Sequence, residues 1–139
     1  MKPKFRAWDV HEKKMFTNDQ LIVWNGNVYA NDNSELNVDN LKGWSIDEKY
    51  LMQSTGLLDK NGKEIFEGDI VRVTMLIGKR TTTSIGAVKF DKYEACFRIQ
   101  NELGSHYVTM FHSRYFEVIG DIYQNPELLG EKNGISQKM

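Results

Sequence analysis

Three carboxylates crowd one short stretch of this chain: Glu64, Glu67 and Asp69. Acids held close together raise one another's pKa and can divide general acid and general base roles, as they do in hydrolases. A water-exposed turn screens that coupling, so the cluster reads as turn charge and not as a catalytic pair. Just before it, Asp59-Lys60-Asn61-Gly62-Lys63-Glu64 offers oxygen ligands in the manner of a calcium loop. Gly62 follows Asp59 too soon, however, and no closing glutamate stands in register. A tight turn explains the same residues, with Asp59 and Asn61 bonding the backbone ahead of them and Gly62 in the left-handed region. His11, His106 and His112 have neither finger nor helical metal spacing. Cys96 is the sole cysteine, and it reads as a buried apolar filler more readily than as a nucleophile. The chain has no phosphate-cradling glycine loop, nucleophile elbow or dinucleotide fingerprint. The expectation is a protein without catalytic residues, metal ligands or cofactor.

Binding chemistry has better candidates. Lys79-Arg80 sits in a threonine-rich loop and could reach a phosphate backbone, with Arg98, Tyr93 and Phe97 adding charge and stacking. Trp24, Tyr29 and Trp44 could form an apolar patch, or flank a strand edge, that takes a protein partner: a second copy or a host protein. Overall charge weighs against nucleic acid, since 18 Lys and Arg against 19 Asp and Glu leave a net charge of -1. Protein partners therefore rank first, nucleic acid second and an enzyme third. A lone cysteine allows no internal disulfide and fits a reducing cytoplasm. The basic start Met1-Lys2-Pro3-Lys4 leads into no apolar stretch of the kind a secretory signal needs. No run reaches the ~18 apolar residues of a membrane span, so a soluble cytoplasmic protein without membrane contact is expected.

The elements that must position these residues are short strands. Phe5 to Asp9 and Met15 to Thr17 read as a strand pair, and Leu21 to Trp24 with Val28 to Ala30 flank Asn25-Gly26-Asn27, a hairpin turn with the positive φ values that Asn and Gly tolerate. The polar stretch from Asn31 to Asn40 is a loop with a short helical turn near Ser34 to Leu36. Ser45 and Glu48 have the spacing of a capping box. Tyr50 to Leu58 is extended, Ile70 to Leu76 alternates as a strand, and Gly78 to Ser84 reads as a polar loop or hairpin tip. Ile85 to Phe90, Ala95 to Ile99 and Phe116 to Tyr123 follow as strands. Asn125-Pro126-Glu127 has the start signal of a short helix. With glycine turns between strands and no helical period, the expected fold is mainly β. It is a small antiparallel barrel, an SH3-like meander with an N-terminal β extension and a short C-terminal helical turn. One domain spans residues 1–130, and residues 131–139 form a flexible polar tail.

Three blocks carry a resemblance: Lys4 to Asp9, Leu51 to Val71 and Phe116 to Leu129. In that order and spacing the chain resembles the YopX family of phage and prophage proteins. The resemblance implies a phage or prophage origin and a compact β-rich fold. It carries across no established activity and no catalytic residue. Together with the candidates above it points to a non-catalytic binding module in the bacterial cytoplasm, with a nucleic-acid accessory role as the alternative and an enzyme with an unrecognised site behind that.

Overall fold

The computed structural model describes residues 4–30, 44–100, 106–109 and 115–129. The helical turn expected near Ser34, His112 and the tail at 131–139 lie outside the described residues. By its internal contacts the chain divides into two compact units, Met1–Ser54 and Thr55–Met139.

In the first unit β1 (Phe5–Asp9) folds back on β2 (Lys14–Phe16), with Ala7 opposite Phe16 and Asp9 opposite Lys14. Asp9 makes that reversal. Its Oδ1 accepts from the amides of His11 at 2.9 Å and Glu12 at 3.2 Å, and Lys13 closes the loop at a φ of 54°. β3 (Leu21–Trp24) and β4 (Asn27–Ala30) meet through Asn25 and Gly26, whose φ values of 52° and 80° give the mirror-image turn that matches strand twist. β5 (Trp44–Ile46) pairs with the other side of β4. A 3-10 turn at Glu48–Tyr50 is capped by Asp47, which accepts from the Lys49 amide at 3.1 Å. Ser45 does not cap it as its spacing implies, because Ser45 lies in β5 opposite Tyr29. Ala7, Phe16, Val28, Ala30 and Ile46 form the core, with Leu21, Tyr50 and Leu51 packed against it. Burying a side chain such as Phe16 contributes roughly 1.5–3 kcal/mol. The first residues of β6 (Leu51–Leu58) pair with β1, Gln53 opposite Phe5.

In the second unit the far end of β6 meets β7 (Glu64–Phe66), where the Thr55 hydroxyl donates to the Ile65 carbonyl at 2.7 Å. β8 (Asp69–Ile77), β9 (Arg80–Asp91), β10 (Cys96–Gln100) and β11 (His106–Thr109) follow one another as a meander. β12 (Phe116–Asp121) adds to the outer side of β8, giving the antiparallel order β11-β10-β9-β8-β12. Ile65, Val71, Val73, Val88, Ile99 and Phe116 make its core, with Leu57, Phe97 and Val118 against them. Gly86 is required there: a Cβ on it would stand 2.7 Å from the Ile99 side chain and 2.8 Å from the Gln100 carbonyl oxygen. Residues 127–129 are helical, and the Leu128 amide bonds the Asn125 carbonyl at 3.1 Å. Among the described residues, antiparallel sheets and one short α-helix bear out the mainly β expectation. Cys96 is half-buried at the end of β10, not the fully buried filler expected.

Candidate functional site

Two hairpins carry most of the exposed side chains with binding chemistry, and Tyr93, 90% exposed, stands in a third turn, at residues 92–95. In the second unit β12 pairs with β8 only between Asp69 and Val73, and β10 pairs with β9 only between Ala87 and Asp91. Beyond those limits Thr74 faces Thr83, Met75 faces Thr82, Leu76 faces Thr81 and Ile77 faces Arg80, so among the described residues this end of the hairpin is a two-stranded ribbon. Only Gly78 and Lys79 remain for the turn, and Gly78 takes a φ of 63°. Of the two expectations for Gly78 to Ser84, a polar loop or a hairpin tip, the hairpin tip holds, and its threonines are strand. Branching at Cβ suits them to a pleated ribbon, and a two-residue turn leaves no room for a longer loop. Residues 78–83 are exposed, and so is Leu76 at 71%. Between Asp69 and Asp91 the chain has no acidic residue and four cations, Arg72, Lys79, Arg80 and Lys89. Arg72 is already engaged with Glu117 at 2.8 Å.

In the first unit the β3–β4 hairpin presents Val23 at 49% and Trp24 at 55% exposure immediately before its turn. Trp24 pairs with Asn27, and Ile22 pairs with Tyr29. Side chains alternate along a strand, so Trp24 and Tyr29 share one face, the one opposite the buried Val28 and Ala30. Among the described residues β3 is an end strand of its three-stranded sheet.

A shallow depression of 160 Å³ is lined by Lys89, Phe90, Asp91, Arg98 and Gln100. Arg98 Nε donates to Asp91 Oδ2 at 3.1 Å, while Asp91 Oδ1 accepts from the amides of Tyr93 and Glu94. Phe90 and Phe97 meet edge to face with centroids 5.2 Å apart. Its volume falls below the roughly 300–1,000 Å³ of usual small-molecule sites.

The carboxylates belong to the backbone. Asp59 is 6% exposed. Its Oδ1 accepts from the amides of Asn61 at 2.8 Å and Lys63 at 2.9 Å, and its Oδ2 accepts from Val118 at 2.9 Å. Burial pushes its pKa up, but the three amides and the Lys63 charge outweigh that and leave it below the ordinary value. Asp69, expected on an exposed turn, is 1% exposed and accepts from the Phe66 amide at 2.8 Å. Asp121 accepts from the amides of Tyr123 and Gln124, both at 2.9 Å. Among the described residues no group of His, Cys, Asp or Glu is arranged to hold a metal ion, and no helix is long and apolar enough to cross a membrane.

Residues 4–130 match the family model of the YopX protein. The chain belongs to the YopX family. The YopX match spans both units, as do the three sequence blocks that resemble the family. Among solved structures, the chain is similar to protein EF1440 from Enterococcus faecalis, at 28% identity and a TM-score of 0.59, with 93% of this chain and 99% of that one covered. No curated protein matches the sequence.

Within this YopX-family fold the residues singled out from sequence separate. Lys79 and Arg80 stand together at the ribbon tip, but Arg98 lies opposite Lys89. That position is nine residues along β9 from Arg80, or ~30 Å of strand at about 3.3 Å per residue. Trp24 and Tyr29 come together on one face. Trp44 pairs with Ala30, out of phase with Tyr29, and its side chain lies outside the described ones. Sequence reasoning missed Leu76 and residues 81–83 as parts of an arm; the run of β-branched threonines next to a Gly-Lys turn was the available signal.

Proposed function

We propose that this YopX-family chain is a non-catalytic binding module of phage or prophage origin that works in the bacterial cytoplasm. Its partner is a protein, a second copy or a host protein, held by the β3–β4 hairpin. The observation that carries this reading is the exposed Trp24, on the same face as Tyr29, at the end of a strand that reverses through Asn25 and Gly26 at positive φ. A large aromatic presented on a rigid scaffold loses little entropy when it docks, which is why tryptophans dominate binding energy at interfaces. Family membership supports the phage origin, and the unpaired thiol of Cys96 fits the cytoplasm. Substituting Trp24→Ser tests the proposal. Sedimentation and affinity capture should show a lost dimer or a lost partner at unchanged thermal stability, and an unchanged mass and partner profile would refute it.

A second reading, nucleic-acid binding through Lys79 and Arg80, is favoured by one observation: their cationic tip ends a two-stranded ribbon. Arg98, on β10 opposite Lys89, is too far from the tip to join it.

A further inference from the structure

We infer that the β8–β9 ribbon is an arm that enters a groove of double-stranded nucleic acid, an inference that rests on the second reading above. Among the described residues the ribbon extends four residue pairs, Thr74–Thr83 to Ile77–Arg80, beyond the strands that flank it in the sheet. At about 3.4 Å per residue that is ~14 Å of reach. Two strands lie about 4.8 Å apart, and the major groove of B-DNA is ~12 Å wide and ~8.5 Å deep, wide enough for a two-stranded ribbon with its side chains.

Side-chain chemistry follows the same geometry. Lys79 and Arg80 place two cations at the tip, and no acidic residue stands between Asp69 and Asp91 to repel phosphates. Register gives Thr81 and Thr83 one face together with Leu76 and Thr74, and gives Arg80 and Thr82 the other. Hydroxyls on both faces can meet the two groove walls, donating to phosphates or base edges, and the exposed Leu76 can meet a thymine methyl. A single strand is the poorer fit. Proteins that hold unpaired bases use aromatic platforms, and residues 74–83 contain no aromatic side chain.

The chain's net charge of -1 limits the effect to the arm itself. Two phosphate contacts give a salt slope near -1.8, so affinity should fall about tenfold between 50 and 200 mM salt. The experiment is a polarisation titration of the full chain with a labelled mixed-sequence DNA duplex two helical turns long, with the matching single strand and polyglutamate as competitors. Duplex should bind with that slope and resist both competitors. Lys79→Ala and Arg80→Ala should each reduce the slope by about one, and NMR shift changes should gather at residues 76–83. Equal binding of the single strand would overturn groove entry while leaving nucleic-acid binding in place. Displacement by polyglutamate would reassign the arm to acidic proteins and overturn the inference. A duplex that does not bind at low salt, or that binds the double variant as well as the native chain, would end both this inference and the reading beneath it.

Discussion

The two exposed hairpins use one backbone device for different chemistry. β3–β4 and β8–β9 each reverse through two residues with a glycine at positive φ, Gly26 at 80° and Gly78 at 63°. β4 is paired on its far side by β5, and the hairpin's exposed large hydrophobic residues are Val23 and Trp24. The end of β8–β9 has no flanking strand among the described residues, and it carries hydroxyls, two cations and the exposed Leu76. A supported hairpin can display a large apolar side chain without inviting strand-to-strand aggregation, whereas an unsupported ribbon with two open edges needs polar, charged side chains to stay unpaired. Among the described residues, the side chains each hairpin exposes differ with how much sheet stands behind it.

The comparison depends on a rigid base beneath the ribbon, and the largest effect should come from removing it. Asp59→Asn takes a charge from the carboxylate that joins the 59–63 turn to β12. Stability at neutral pH should fall by about 2–3 kcal/mol, as for charge-assisted hydrogen bonds, measured by denaturant unfolding. Because the folded pKa of Asp59 lies below its ordinary value, this stabilisation is fully present above the unfolded value, about 3.9. It is lost as pH falls through the folded value. The gap between native chain and variant should therefore close below about pH 4; a gap constant with pH would show that the charge is immaterial.

A somewhat smaller effect is expected at Gly86, where an added methyl meets the Gln100 backbone and the Ile99 side chain. Gly86→Ala should cost about 1–3 kcal/mol through overpacking, with loss of amide-exchange protection in β9 and β10. Retained protection would mean that the neighbouring strand yields without cost.

Smallest is the direct comparison of the two turns. Gly26→Ala and Gly78→Ala should each cost about 1 kcal/mol, since both place a Cβ in the left-handed region and neither would meet a neighbour within 4 Å. Unequal costs measured by thermal unfolding would show that one turn relaxes, and the flexible one would be the poorer scaffold for recognition.

Much of the fold was legible because its signals are local. Asn25-Gly26, Gly62 and Asn125-Pro126-Glu127 each satisfy a backbone requirement within a few residues, and a turn chemistry of that kind needs no tertiary partner. The Asp residues were only half legible. That Asp59 bonds Asn61 follows from its neighbours, but its bond to Val118 spans 59 positions. The same gap hid the burial of Asp69, because a turn looks exposed until another segment covers it. Gly78 to Ser84 fits a polar loop or a hairpin tip, since polarity alone does not separate a solvated strand from a turn. Register decided that, and it also parted Arg98 from Lys79 and Arg80.

By itself the sequence determined a β-rich YopX-family chain punctuated by glycine and aspartate turns, because dihedral preference and alternation act over neighbouring residues. Only the tertiary structure decided which exposed side chains share a face, where the ribbon outruns its flanking strands and which amides each carboxylate holds. Those outcomes depend on strand register, a long-range choice in which shifting one strand by a single residue moves every side chain to the other face.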